Sequence, residues 1–122
     1  TPLSAALLIK QVMEGSIIGK NYQDSIRKYL STVTTGQDRL GSVTEGSAIM
    51  LFAHKTGSGY RNEAGELVAY NDVGYFRLRD GRSYSLAVLI RDFAGTEAEA
   101  SAIIADISRR VYRHVASAQG NP

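Results

Sequence analysis

The 122-residue sequence contains no cysteine. Disulfides and thiolate metal sites are therefore excluded. Histidine is nearly as scarce. His54 and His114 are the only two, in separate segments, which argues against a histidine-rich metal centre. No block of like charge is present, and 14 basic against 12 acidic side chains leave a net charge of only +2. Nucleic acid is thus a poor candidate partner. No apolar run is long enough to cross a bilayer, so no membrane partner is expected. The opening residues Thr1-Pro2-Leu3 do not form a signal peptide. A processed precursor would look the same, so this leaves the compartment open. What remains is 43% hydrophobic and 21% charged, the balance of a globular chain able to bury a core as a single domain.

Helical spacing dominates the two ends of the chain. Thr1 can cap a helix and Pro2 suits its first position, because proline has no N–H to leave unpaired. Leu3, Ala6, Leu7, Val12 and Met13 recur at roughly helical intervals, and Gly15 is expected to end the helix in the left-handed conformation. A second helix is expected over about 22–32, capped by Asn21, with Asp24 in its first turn. Its apolar stripe would be Tyr22, Ile26, Tyr29, Leu30 and Val33. Gly36 ends that stretch, and a polar loop follows through Arg39 to Gly46. A last helix is expected over 96–116, capped by Thr96, with Glu97 and Glu99 suited to its positive end. Ala100, Ile103, Ile104, Ile107, Val111 and Val115 line one face of it. The tail 117–122 reads as frayed.

Between the helices the period changes. Residues 48–53 form a continuous apolar run, read as a strand buried on both faces. Gly57, Gly59 and Gly65 lie in a polar stretch read as loop. Segments 73–79 and 82–92 flank Asp80-Gly81, a hairpin signal in which both turn positions are expected at positive φ. Short connections between adjacent strands imply an antiparallel sheet. The fold class is α+β, with three strands packed against the C-terminal helix and two helices preceding them.

The candidate chemistry centres on Lys55-Thr56-Gly57, directly after the apolar strand. Lysine and threonine offer a cation and a hydroxyl to a carboxylate, and glycine lets a ligand approach the backbone. The tripeptide alone is a weak signal. It stands, however, in a longer series: Thr1-Pro2-Leu3, Thr34-Thr35-Gly36-Gln37-Asp38-Arg39-Leu40, Ala53-His54-Lys55-Thr56-Gly57-Ser58-Gly59, Arg61-Asn62, Asn71-Asp72-Val73-Gly74, Asp80-Gly81, and Ile103 through Tyr112. In this order and spacing the chain, from Thr1 to about Ala116, resembles the C-terminal part of a class A serine β-lactamase. The likeness is to the extended-spectrum cephalosporinase branch of anaerobic Gram-negative bacteria.

The resemblance implies roles residue by residue. Lys55 would lie near the nucleophile, supplying positive potential and helping proton movement. Thr56 would hydrogen-bond the β-lactam carboxylate, and Arg39 would send a guanidinium to it. The Ser58 N–H would be an oxyanion-hole donor, and its hydroxyl could reach the same carboxylate. Gly57 and Gly59 would keep the strand edge open to substrate. No metal and no cofactor are implied, and the partner is a β-lactam small molecule acted on by a periplasmic or secreted enzyme. The family's Ser-x-x-Lys, Ser-Asp-Asn and loop glutamate have no counterpart here, so 1–122 reads as a single partial domain, inactive alone. Ser25-Ile26-Arg27-Lys28 fits the nucleophile pattern literally but falls in the segment matching a surface helix, and is read as coincidence. In the family the strand matching 83–92 pairs with a strand from the absent part, so its edge is expected to be open here and to favour homo-oligomers. Cell-wall transpeptidases or carboxypeptidases, and a non-catalytic domain of the same fold, are the alternatives. His54 and His114, Tyr22, Tyr29, Tyr75, Tyr84 and Tyr112, Asn71-Asp72, Asp106 and Arg109-Arg110 are read as packing or surface residues.

Overall fold

The computed structural model describes residues 1–118; the expected frayed tail beyond Ala118 lies outside them. In chain order the elements are helix α1 (Pro2–Glu14), helix α2 (Lys20–Ser31), a 3₁₀ turn (Leu40–Val43), strands β1 (Ile49–Ser58), β2 (Tyr70–Leu78) and β3 (Ser83–Ile90), and helix α3 (Glu97–Ser117). The strands form one antiparallel sheet in the order β1-β2-β3. The α+β architecture read from the sequence is the one found.

The sheet is covered on both faces. Strand alternation sends Leu51, Ala53 and Val73 to one side, where Ile9 and Met13 of α1 and Leu30 of α2 pack with Ala53 and Tyr75. Phe52, Phe76 and Val88 point to the other side and join Leu40, Val43, Ala100 and Ile104. Helix α3 approaches that core through small residues: Ala100, Ser101, Ala105 and Ser108 are all buried. Two of them bond across the gap. The Ser108 hydroxyl donates to the Leu40 carbonyl at 2.7 Å, and Ser101 shares a 2.6 Å hydrogen bond with the Tyr70 hydroxyl. The Thr96 cap is present and is completed by the Glu99 side chain, which accepts from the Thr96 N–H at 2.9 Å. Such a reciprocal box satisfies two otherwise orphaned donors.

Several expectations are corrected. Helix α1 buries Ile9 and Met13, while Leu3, Leu7 and Leu8 are exposed. Gly15 does end α1, but with extended backbone (φ −96°, ψ −166°); glycine is needed there because a Cβ would meet the Gln11 carbonyl oxygen at 2.8 Å. Helix α2 starts one residue before Asn21, with Gly19 at its cap and no side-chain capping bond. Its buried side is polar, whereas Tyr22, Ile26 and Tyr29 face outward. The reason lies at the end of α1, whose terminal carbonyls lack helical partners. Arg27 donates to the Val12 and Gly15 carbonyls (3.0 and 2.7 Å), and the Gln23 amide donates to the same two oxygens. Ile103 on α3 is likewise more exposed than its place on the apolar stripe suggests.

The expected loop over Arg39–Gly46 is instead partly the 3₁₀ turn, with Leu40 and Gly41 fully in the core region. Strand β1 runs five residues past the apolar run, so Lys55, Thr56, Gly57 and Ser58 are strand residues rather than a loop after one. It is also not buried on both faces throughout, since Met50 is exposed. At the hairpin only Gly81 has positive φ (+94°); Asp80 does not. The Gly81 N–H donates to the Leu78 carbonyl at 3.0 Å and the Leu78 N–H to the Arg82 carbonyl at 2.8 Å. This is a three-residue loop, a turn followed by one left-handed residue.

Candidate functional site

The site residues meet at the outer end of β1. Thr56 pairs with Asp72, Gly57 with Asn71 and Ser58 with Tyr70. In an antiparallel ladder, alternate residues turn their N–H and C=O toward the partner strand and away from it. The Gly59 N–H donates to the Ala69 carbonyl at 2.8 Å, so odd-numbered residues of β1 face β2. The N–H groups of Thr56 and Ser58 therefore point to the outer edge, where no further strand of the described residues pairs.

Side chains alternate by the same rule, and this separates the two cations. Lys55 lies on the α1 side, in a depression of about 220 Å³ shared with Leu8, Val12, Leu30 and Val73. Its ammonium curls to the strand edge and donates to the Thr56 carbonyl at 2.5 Å. Arg39 is on the opposite face with Thr56 and Ser58. Its Nη2 donates to Ser58 Oγ at 2.9 Å and its Nη1 to the Asn71 carbonyl at 2.9 Å, and its guanidinium lies 3.7 Å above the Tyr70 ring. The sequence suggested a guanidinium reaching directly to a ligand. Arg39 is only 8% exposed, so it is a buried cation under the edge. Its reach to the surface is through Ser58, whose oxygen accepts from Arg39 and whose own O–H stays free to donate outward.

Thr56 has a neighbour that sequence reasoning missed. The Thr35 hydroxyl lies 3.4 Å from the Thr56 hydroxyl. Gly36, between Thr35 and Arg39, has φ +63°, and a Cβ there would collide with Thr56 Cγ2. The segment 34–40 thus lies directly on the strand because glycine permits both the conformation and the approach. The two glycines of the strand end differ. A Cβ on Gly57 would meet only the Asn71 amide, at 3.9 Å, so the space above it is open. A Cβ on Gly59 would meet Val68 Cγ2 at 2.6 Å. Gly59 is therefore favoured by its own packing.

Beneath these groups lies a second layer that the sequence reading assigned only to packing. His54 and Asp72 are almost wholly buried, at 1% and 0% exposure, with Nδ1 and Oδ1 2.9 Å apart. Asp72 Oδ2 accepts from the Leu40 N–H at 3.1 Å. The Asn71 side chain accepts from the Ile90 N–H at 3.1 Å, tying β2 to the end of β3. The alternation of β2 carries the only sequence signal for this layer: Tyr70, Asp72, Gly74 and Phe76 share the buried face, which makes Asp72 a buried carboxylate.

The remaining residues are not brought to the site. The Ser25 hydroxyl is on exposed α2 and donates to the Asn21 carbonyl at 3.1 Å; Lys28 is exposed on the same helix. His114 is in the last turn of α3. Asp106 pairs with Arg110 at 2.9 Å on the surface of α3. Among the described residues no group of three or more histidine, aspartate or glutamate side chains is placed to hold a metal ion, and no helix is long and apolar enough to cross a membrane.

Residues 1–115 match the model of the beta-lactamase enzyme family. The chain is 41% identical over 112 residues to a β-lactamase of Phocaeicola vulgatus, covering 92% of this chain and 35% of that protein. It is 33% identical over 110 residues to the extended-spectrum β-lactamase PER-1 of Pseudomonas aeruginosa, covering 89% of this chain and 34% of that one. Among solved structures, a class A β-lactamase from Bacteroides cellulosilyticus superposes with a TM-score of 0.85 at 32% identity, over 96% of this chain and 42% of the other. The chain spans about a third of the length of these curated relatives.

Proposed function

Because the chain belongs to the beta-lactamase enzyme family, we propose that its β1 edge is the carboxylate-anchoring part of a serine β-lactamase site. The Arg39–Ser58 hydrogen bond of 2.9 Å is the observation that carries this reading. It places a buried guanidinium behind a hydroxyl that can donate to an anion, beside the Thr56 hydroxyl on the same strand face. Charge-assisted hydrogen bonds of this kind are roughly twice as strong as neutral ones. The Ser58 N–H, turned to the open edge, serves as one oxyanion donor for the tetrahedral intermediate. Lys55, reaching the same edge from the other face, supplies positive potential and assists proton movement at the nucleophile.

The reaction proposed for the whole enzyme is hydrolysis of the β-lactam amide through a serine acyl-enzyme. Acyl transfer needs a nucleophile and a base in the same site. Ser25 and Lys28 do not supply them, so the 122 residues alone are expected to give no turnover. The ligand is a β-lactam carboxylate, with no nucleic acid, membrane or cofactor involved, and the setting is the periplasm or the exterior. We also propose that copies of the chain associate through β3, which among the described residues pairs with β2 on one side only.

The test is hydrolysis of a chromogenic cephalosporin by the 122-residue chain and by the complete natural polypeptide that contains it. Turnover by the second and not the first is the expected result. Binding that is indifferent to esterification of the β-lactam carboxylate would sink the anchoring role.

A further inference from the structure

We infer that the buried His54–Asp72 pair is a positioning unit that sets where the Arg39 guanidinium sits, and through it the affinity of the edge for a carboxylate. This rests on the anchoring reading above and names what holds that anchor in place. Arg39 precedes Leu40, and the Leu40 N–H donates to Asp72 Oδ2 at 3.1 Å. The second Asp72 oxygen lies 2.9 Å from His54 Nδ1. One carboxylate therefore joins the segment that carries Arg39 to the strand that carries Thr56 and Ser58. A carboxylate oxygen only accepts, so the Leu40 N–H and the imidazole are held from opposite sides of one group.

The imidazole is itself fixed. It stacks on Phe52 with ring centroids 4.4 Å apart, and Nε2 has no protein partner among the described residues, so Asp72 is its only polar attachment. Leu40 has no slack either: its side chain is fully buried, and its carbonyl accepts from Ser108 on α3 at 2.7 Å. The backbone N–H and C=O of Leu40 are thus both pinned, one to β2 and one to α3. With the backbone of Arg39-Leu40 fixed, the Arg39 side chain reaches Ser58 Oγ and the Asn71 carbonyl at 2.9 Å each. Hydrogen-bonded groups behind a site commonly fix the orientation of the groups that touch the ligand. His54 and Asp72 lie buried behind the edge and act through Leu40 and Arg39.

The experiment compares the complete natural polypeptide with Asp72→Asn, His54→Asn, Arg39→Ala and the double variant Asp72→Asn/Arg39→Ala. Two readouts are taken. The first is the Arg39 side-chain N–H resonance and the exchange rate of the Leu40 amide, which need no activity. Asp72→Asn should broaden or shift the former and speed the latter, with His54→Asn giving a smaller change of the same kind. The second is KM against kcat for a penicillin. Asp72→Asn should raise KM about tenfold with kcat changed by roughly threefold or less, and should add little once Arg39 is already alanine. An Arg39 resonance unchanged in both single variants overturns the inference, as does a KM increase from Asp72→Asn that is just as large without Arg39. If Arg39→Ala leaves KM unchanged, the anchoring reading itself fails, while the resonance arm still decides whether His54 and Asp72 position Arg39. If Asp72→Asn does not fold, His54→Asn alone carries both readouts.

Discussion

Arg39 and Ser58 are 19 residues apart in the chain, yet a guanidinium nitrogen of one lies 2.9 Å from the hydroxyl oxygen of the other. On the proposed reading the pair is a relay: buried charge, then hydroxyl, then ligand. Arg39→Ala and Ser58→Ala are each expected to weaken carboxylate binding roughly tenfold, the scale of one charge-assisted hydrogen bond. The double variant should be little worse than either single one. Arg39→Lys should not restore binding, because an ammonium cannot span Ser58, Asn71 and the Tyr70 ring at once. Titration with a penicillin and with its methyl ester checks this, and full additivity of the two losses would refute the relay.

Gly36 should tolerate no side chain. Its φ of +63° strains any L residue, and the new Cβ would collide with Thr56 Cγ2. Gly36→Ala is expected to cost about 1–3 kcal/mol of stability and to displace Thr56 from its place beside Thr35. Urea denaturation measures the first effect, and loss of carboxylate binding at matched folded fraction measures the second.

Glu14 at the end of α1 gives the fold a pH dependence of known sign. The Ser83 and Tyr75 hydroxyls both donate to its Oε2 at 2.6 Å, holding its carboxyl below the ordinary value of 4.5. A depressed folded pKa stabilises above the unfolded value and is lost as pH falls through the folded one. The stability gap between the natural chain and Glu14→Gln should therefore be constant from neutral pH down to about 4.5 and then close. Unfolding curves from pH 7 to pH 3 test this; a gap that widens in acid would contradict it.

Thr96→Ala removes the cap of α3 and half of its reciprocal box. The expected loss is about 1 kcal/mol, seen as a lower Tm with unchanged secondary structure. Thr96→Ser should keep most of it.

Association through β3 should depend on its outward N–H groups. The Leu78–Arg82 hydrogen bond sets the even residues of β3 toward β2, so Ala87 turns its N–H outward. Ala87→Pro should reduce self-association in sedimentation without loosening the β2–β3 pairing. A purely monomeric natural chain at high concentration would remove the premise.

The sequence carried the frame more clearly than the site. Thr96 and the apolar spacing behind it mark α3, and Asp80-Gly81 marks the hairpin, because both are local signals. Apolar periodicity assumes an apolar interface and so mistakes the buried side of helix α2, where Gln23 and Arg27 face the carbonyls of Val12 and Gly15. The end of strand β1 is not legible beyond Ala53 because its last residues, His54 to Ser58, lose the hydrophobic pattern. Arg39 was found through the family motif, but its burial was not, since that depends on Tyr70, Asn71 and Ser58 from two strands. The Asp72 contacts to His54 and Leu40 span 18 and 32 residues, and no local pattern encodes them.

Lys55 lies on the α1 side of β1, whereas Arg39 packs against its opposite face, so the sheet acts as a partition between two charges. Substitutions at Leu8, Val12 or Leu30 reach Lys55 without touching Arg39, and those at Asp72 or Tyr70 do the reverse. Under the roles proposed for Lys55 and Arg39, proton handling and ligand affinity are then tuned from separate sets of positions, which meet only where a ligand bridges the edge between them.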